Sequence, residues 1–421
     1  MPLRRRLGLF ARPLALFGLF GPGLVTANAG NDAGGITTYS VAGATYGHAL
    51  LWVFPLITVS LVVVQEVCAR MGAVTGKGLA ALIRERFGVR WTVVVMLSFL
   101  IATLGTTASE FAGIAAATEL FGIPRTLSVT LAALFVFYLV VFGTYARVER
   151  IFVLMTVVFF AYVATALVAT SDWRPVLAAT VTPQLRLEPA YLFLLITLIG
   201  TTVTSYMQFF VQSTVVERGV TVRTLRNTRI DVIASSIFAD VIAFFIVVTT
   251  AETLYRAGIS IDSAADAARA LAPLAGQYAQ VLFAIGLTGA SLLAASVLPL
   301  SAAFAVAEAF GFEAGISRRF SEAPVFMGLY VSLVIVGAAI VLLPGLPLIG
   351  LLVTSQFIDG LLLPVTLVSI AILAGDRAIM GAYASGGFTR AVQWTTAIGL
   401  ALLSLVFVVL SARQLLSGGA A

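Results

Sequence analysis

The chain has 421 residues, of which 60% are hydrophobic and only 10% charged, with a formal net charge of +6. Soluble domains carry about 25% charged residues, so composition excludes a soluble enzyme, and it excludes disorder because so apolar a chain has ample surface to bury. The single cysteine, Cys68, permits no internal disulfide, and the single histidine, His48, rules out a site needing two imidazoles, so zinc-fold and Cys/His nucleophile readings fail together.

Apolar runs of about 20 residues, each long enough to cross a hydrocarbon core of about 30 Å, fill the chain between short charged loops. They predict an all-α polytopic membrane protein with about eleven spans. In chain order these run from Pro13 to Thr45, Ala49 to Cys68, Trp91 to Ala117, Leu127 to Phe142, Ile151 to Thr170 and Ala190 to Val215. The remainder run from Val232 to Glu252, Tyr278 to Phe310, Val325 to Leu343, Leu348 to Ala374 and Ala391 to Leu410. The expected organisation is an N-terminal segment (1–12), a first block of five spans (13–170), an extracytoplasmic loop (171–189), a second block (190–374) and a C-terminal portion with a loop, the last span and a short tail (375–421).

Arg4 to Arg6, an apolar stretch and Ala27-Asn28-Ala29 imitate a secretory signal, but Gly21-Pro22-Gly23 interrupts the apolar run, and the segment reads as span 1. Of the 25 basic residues, 19 fall on the N-terminal side of the spans and 6 on the other. This bias predicts a multi-pass protein of the cell (inner) membrane with a cytoplasmic N-terminus and an extracytoplasmic C-terminus. The basic residues sit in short loops, where anionic headgroups of the lipid bilayer explain them better than nucleic acid does.

A charge inside a span costs at least about 2.5 kcal/mol, which makes Asp32, Glu110, Asp240 and Asp359 the informative acids. Glu66, Glu119 and Asp231 lie near span ends and reach the interface. Asp32 sits in Asn28-Ala29-Gly30-Asn31-Asp32-Ala33-Gly34-Gly35, where helix propensity collapses in mid-span. Unwound backbone at membrane depth is tolerated only where it is buried or lines a cavity, and its carbonyls and helix ends then serve as ion ligands. The competing reading is a kinked helix packed through small residues. Asp359 follows Gln356 by three residues on one helix face, a position for a second carboxylate or an outer acceptor, or for an acid paired with a hydroxyl elsewhere in the bundle. Asp240 has no motif around it and reads as structural or gating.

Gly21-Pro22-Gly23, Asp32-Ala33-Gly34-Gly35-Ile36, Leu50-Leu51-Trp52 and Thr75-Gly76-Lys77 resemble the first two spans of the natural resistance-associated macrophage protein (NRAMP) metal transporters. The likeness continues through Gly105, Glu110 and Gly113, Ile199-Gly200, Leu271-Ala272-Pro273-Leu274, Ser355-Gln356, Asp376-Arg377 and Met380-Gly381. The resemblance implies a leucine-transporter-like fold, with spans 1–5 and 6–10 as inverted repeats and spans 1 and 6 broken around a midplane site. It implies a divalent metal ion as substrate, no cofactor, and a site formed by Asp32 with Ala29, Gly35, Thr201, Thr204, Tyr206 and Gln356, to which Asp359, without an acidic counterpart in the family, is added from its place on the Gln356 face.

This sequence departs from the family where span 6 carries Met-Pro-His, having Thr204, Ser205 and Tyr206 instead. The asparagine of the span 1 motif becomes Gly35, an acid one turn before Glu110 becomes Thr107, and a second histidine falls near Gln212. A thioether favours softer metals, whereas carboxylate, hydroxyl, carbonyl and water suit Mg²⁺, Ca²⁺ and Mn²⁺. The departures therefore give a harder, roomier site, similar to that of the magnesium-transporting branch related to the family, and favour Mg²⁺ or Mn²⁺. With the histidines gone, proton coupling is expected to be weak or absent, and Glu110 is the remaining candidate for a proton route. The function expected is a secondary transporter importing a divalent cation by alternating access. The rivals are an amino-acid or other organic-solute carrier of the same fold, and a non-transporting membrane receptor or scaffold.

Overall fold

In hydrocarbon the backbone's polar groups have only one another as partners, so long apolar runs close into helices. The computed structural model describes residues 31–141, 155–313 and 321–416, and every regular element among them is helical. Each predicted span has its helix. The second half of span 1 is Ala33–Tyr46, span 2 is Val53–Thr75, span 3 is Leu79–Glu119 and span 4 is Arg125–Val141. Span 5 is a 3₁₀ turn, Thr156–Phe159, running into Phe160–Ala169, and span 6 is split into Pro189–Thr202 and Ser205–Glu217. Span 7 is Leu225–Thr250 closed by a wide π turn, Ala251–Tyr255; spans 8 to 11 are Ala279–Phe310, Pro324–Val341, Leu348–Gly375 and Gly387–Leu416. The expected starts of spans 1 and 5 at Pro13 and Ile151, with Gly21-Pro22-Gly23 and Ala29, lie outside the described residues.

Span 3 begins at Leu79 rather than Trp91, because a polar helical segment rich in arginine precedes it. The two parts meet at Gly88, whose φ of 75° and ψ of −179° turn the chain in a region that disfavours side chains. Loop 171–189 carries a short helix, Arg174–Val181, and the connection from span 7 to span 8 carries Ala264–Arg269 under a Ser263/Asp266 capping box.

Spans 8 and 10 each pack extensively on span 3 and form a scaffold with it, against which the second half of span 1 and both halves of span 6 are laid. Small residues set the closest approaches. A Cβ at Gly200 would stand 2.4 Å from the Gly360 Cα, so the first half of span 6 meets span 10 backbone to backbone. Span 11 packs on span 10 and on the first half of span 6, and its Leu402, Leu405 and Val408 are 55%, 59% and 49% exposed, a face suited to lipid chains.

Polar contacts at the two ends respect the alternation of the spans. At one end Arg86 pairs with Asp376 at 2.9 Å, Arg229 with Glu66 at 2.6 Å, Arg70 donates to the Tyr383 carbonyl and Gln212 to the Lys77 carbonyl. At the other, His48 lies 3.1 Å from Glu252, Arg125 donates to the Leu346 carbonyl and Trp52 to the Tyr191 hydroxyl. Each contact joins residues that the span assignment puts on the same side.

Candidate cation site

Asp32 has extended backbone and caps the helix Ala33–Tyr46, its Oδ1 accepting the Gly35 N–H at 2.6 Å. The Ala33 N–H points instead at Glu110 Oε2 of span 3, 3.3 Å away, so this helix start is flanked by two carboxyl groups. A helix N-terminus favours negative charge, which accounts for both acids at this depth. Asp32 is 1% exposed and Glu110 fully buried.

Gln356 of span 10 closes a third side. Its Nε2 stands 3.4 and 3.5 Å from the two Asp32 carboxylate oxygens. The side chain lies across Gly34, where a Cβ would come within 1.9 Å of Nε2, so only glycine lets glutamine reach the carboxylate. Gln356 Oε1 is buried with no hydrogen-bond partner among the described residues.

Span 6 leaves helical geometry at Val203 and Thr204 and restarts at Ser205. Its own sequence supplies no side-chain cap, and Asp359 of span 10 provides one. Ser205 donates to it twice, from Oγ at 2.9 Å and from the backbone N–H at 3.4 Å. Tyr39 and Thr202 hydroxyls meet at 3.0 Å, tying span 1 to the end of the first half of span 6. The hydroxyls of Thr201 and Thr204 are buried and have no hydrogen-bond partner among the described residues.

Asp32, Glu110 and Gln356 are thus in direct contact with one helix start, while Thr201, Thr204 and Asp359 gather at the break of span 6. Asp359 is turned to Ser205 rather than to Asp32. Gly35 contributes its N–H to Asp32, Tyr206 is buried in the apolar cluster that also holds Met207 and Phe209, and Ala29 lies outside the described residues. Among the described residues no three His, Cys, Asp or Glu side chains converge into a cage. The oxygen donors therefore suit a hard cation that keeps much of its water and takes one or two carboxylates.

Two features escaped the sequence reading. Ser205 is the partner that fixes Asp359, and its only sequence signal is a hydroxyl in the first turn after the break. Asn31 reaches span 7, donating to the Ala239 carbonyl at 3.4 Å, next to the buried Asp240.

The family profile described as "Natural resistance-associated macrophage protein-like" matches residues 23–410. A divalent metal cation transporter MntH of Ralstonia nicotianae is 31% identical over 444 residues, covering 98% of this chain and 93% of its own. The MntH of Acidiphilium cryptum is 28% identical over 407 residues, covering 91% and 88%. These relatives are transporters, not enzymes. Among solved structures, a manganese transporter of Eremococcus coleocola superposes with a TM-score of 0.75 at 20% identity, over 96% of this chain and 88% of that one. MhsT in complex with L-phenylalanine superposes at 0.57 with 15% identity, over 92% and 97%. The superpositions carry the fold, which is the leucine-transporter-like arrangement expected from the sequence, in a multi-pass membrane protein. With nearly the whole chain matched by the profile and by a relative of this identity, the protein belongs to the natural resistance-associated macrophage protein-like family.

Proposed function

We propose that the chain carries a divalent metal cation across the membrane by alternating access, holding it between the starts of the second halves of spans 1 and 6. The reading rests above all on Asp32, a buried carboxylate at the start of Ala33–Tyr46 beside Gln356, whose amide oxygen is buried with no hydrogen-bond partner among the described residues. The relatives named as divalent metal cation and manganese transporters support the substrate class.

The donor set further favours Mg²⁺ and Mn²⁺ over softer ions. Carboxylate, amide and hydroxyl oxygens offer nothing that selects Cd²⁺, and a site with one directly facing carboxylate leaves room for retained water. In this reading Asp32 binds the ion directly, Gln356 Oε1 and the Thr201 and Thr204 hydroxyls bind it or its waters, and Asp359 keeps the span 6 break in shape. The cation would enter the cytoplasm, the side of the basic loops.

The test is uptake into proteoliposomes of Mn²⁺, Mg²⁺, Ca²⁺ and Cd²⁺ by the parent, Asp32→Ala and Asp32→Asn. Asparagine caps a helix as well as aspartate does, and losing a cap costs only about 1 kcal/mol, so both variants are expected to fold. Saturable uptake should vanish in both. Uptake retained by Asp32→Asn would show that the charge at this position is not a ligand.

A further inference from the structure

On the face where span 10 turns into span 11, a cavity of about 320 Å³ opens between the leading segment of span 3, the end of span 10 and the start of span 11. Its walls carry Arg86, Arg377 and Arg390 with Asp376, Trp394 and Ile372. None of these belongs to the cation site.

The charge in this cavity is unbalanced. Among the described residues Asp376 is the only carboxylate in its lining, and it is already engaged by the Ala378 N–H and by Arg86 Nε, each at 2.9 Å. Those two partners, the backbone N–H first, hold its carboxyl below the usual range, so it stays ionised and neutralises one arginine. Arg377 and Arg390 form no ion pair with any carboxylate of the described residues. Two guanidinium groups therefore converge on one cavity without a counter-charge. A planar fork of this kind matches phosphate oxygens two at a time.

The position of the cavity selects the kind of phosphate. Ile372 lies in the final turns of span 10, Leu348–Gly375, so the floor is the edge of the hydrocarbon layer. Arg390 and Trp394 stand one turn apart on the same face of span 11. An indole beside an arginine at a span end is the usual anchor at the headgroup level, and basic pockets between spans bind anionic headgroups. A free phosphate ion would need the arginines but not the apolar floor.

We infer that this cavity binds the phosphodiester headgroup of an anionic phospholipid from the adjoining leaflet, with Arg377 and Arg390 as its principal donors. Such a lipid would bridge span 3 to the turn between spans 10 and 11, reinforcing the link made by Arg86 and Asp376.

Thermal unfolding of the full chain in mild detergent tests this, with phosphatidylglycerol, phosphatidylcholine or millimolar inorganic phosphate added. Phosphatidylglycerol should raise the unfolding temperature of the parent, and the other two should not. Arg377→Gln with Arg390→Gln leaves the Arg86–Asp376 pair in place. It should unfold with the parent in phosphatidylcholine, yet need at least about tenfold more phosphatidylglycerol for the same shift. Each single variant should lose part of the response, which keeps the comparison decisive if the double variant folds poorly. An equal phosphatidylglycerol response in parent and variants overturns the site. Stabilisation by inorganic phosphate alone, equal to that by the lipid, overturns the lipid assignment in favour of a soluble anion.

Discussion

Thr204 caps the second half of span 6 by position only, because its buried hydroxyl makes no hydrogen bond to a described residue. If that hydroxyl faces the ion, Thr204→Met introduces a thioether, which adds to the binding of Cd²⁺ and Mn²⁺ and gives Mg²⁺ almost nothing. The expected change is a few-fold, or about 1 kcal/mol, in the ratio of Cd²⁺ to Mg²⁺ competition, and larger with Gly35→Asn added. Unchanged ratios in both variants would mean that Thr204 does not face the cation. Glu110 carries a separate expectation. It lies against the same helix start as Asp32, but Thr107 and Tyr206 stand where the resemblance implies a further acid and an imidazole to extend a proton route. A pH-sensitive dye trapped in proteoliposomes should therefore report little acidification during metal uptake. Stoichiometric acidification that Glu110→Gln removes would instead assign a proton route to Glu110. At this scale the sequence made Asp32 legible, since glycines and asparagines around an acid in mid-span have few other uses. It left Asp359 open between ligand and structural partner, and gave no sign of its hydrogen bond with Ser205, which spans 154 positions and follows no local pattern.

Helix ends carry the next expectation. His48 sits in the turn after the first described helix and faces Glu252 and Arg256 of span 7, with Glu252 at 3.1 Å from the imidazole and 2.7 Å from the guanidinium. Burial pulls the imidazole below its ordinary value, Glu252 pushes it back, and Arg256 adds to the depression, so the net direction is down. The unfolded chain therefore takes up the proton first as pH falls through about 6.5, and acidification favours it. The stability tied to a neutral His48 is present above that value and is lost below it. The unfolding temperature should fall between pH 7.5 and 5.5, and His48→Gln should flatten that part of the profile; identical slopes in both proteins would remove His48 from the account. The sequence identified the long elements well because a span is defined by length and apolarity, which need no partner. It was blind to Arg174–Val181 and Ala264–Arg269, which are too short to read as spans, and to the leading segment of span 3, where arginines disguised a helix that Gly88 joins to the membrane portion.

For the molecule as a whole, the distribution of charge and the contacts between loops answer different questions. The contacts assign loops to faces: Arg229 with Glu66, Arg70 with the Tyr383 carbonyl, Arg86 with Asp376 and Gln212 with the Lys77 carbonyl put the loops after spans 2, 6 and 10 together. His48 with Glu252 and Arg125 with the Leu346 carbonyl put the loops after spans 1, 3, 7 and 9 on the other face. Nothing in these contacts distinguishes cytoplasm from exterior, because packing is indifferent to which side is which. The basic residues carry that expectation: the span assignment puts 19 of the 25 on the first side, and short basic loops are retained in the cytoplasm. A reporter fused after Ala421 should consequently lie outside, and one inserted near Arg223 should lie inside. Since the faces are tied by contacts, the two reporters must disagree with each other in any orientation, and a pair reporting the same side would break the alternation of the spans itself. A pair that disagrees in the reversed sense would keep the fold and invert the protein, placing its basic loops, and the arginine cavity between spans 10 and 11, in the outer leaflet.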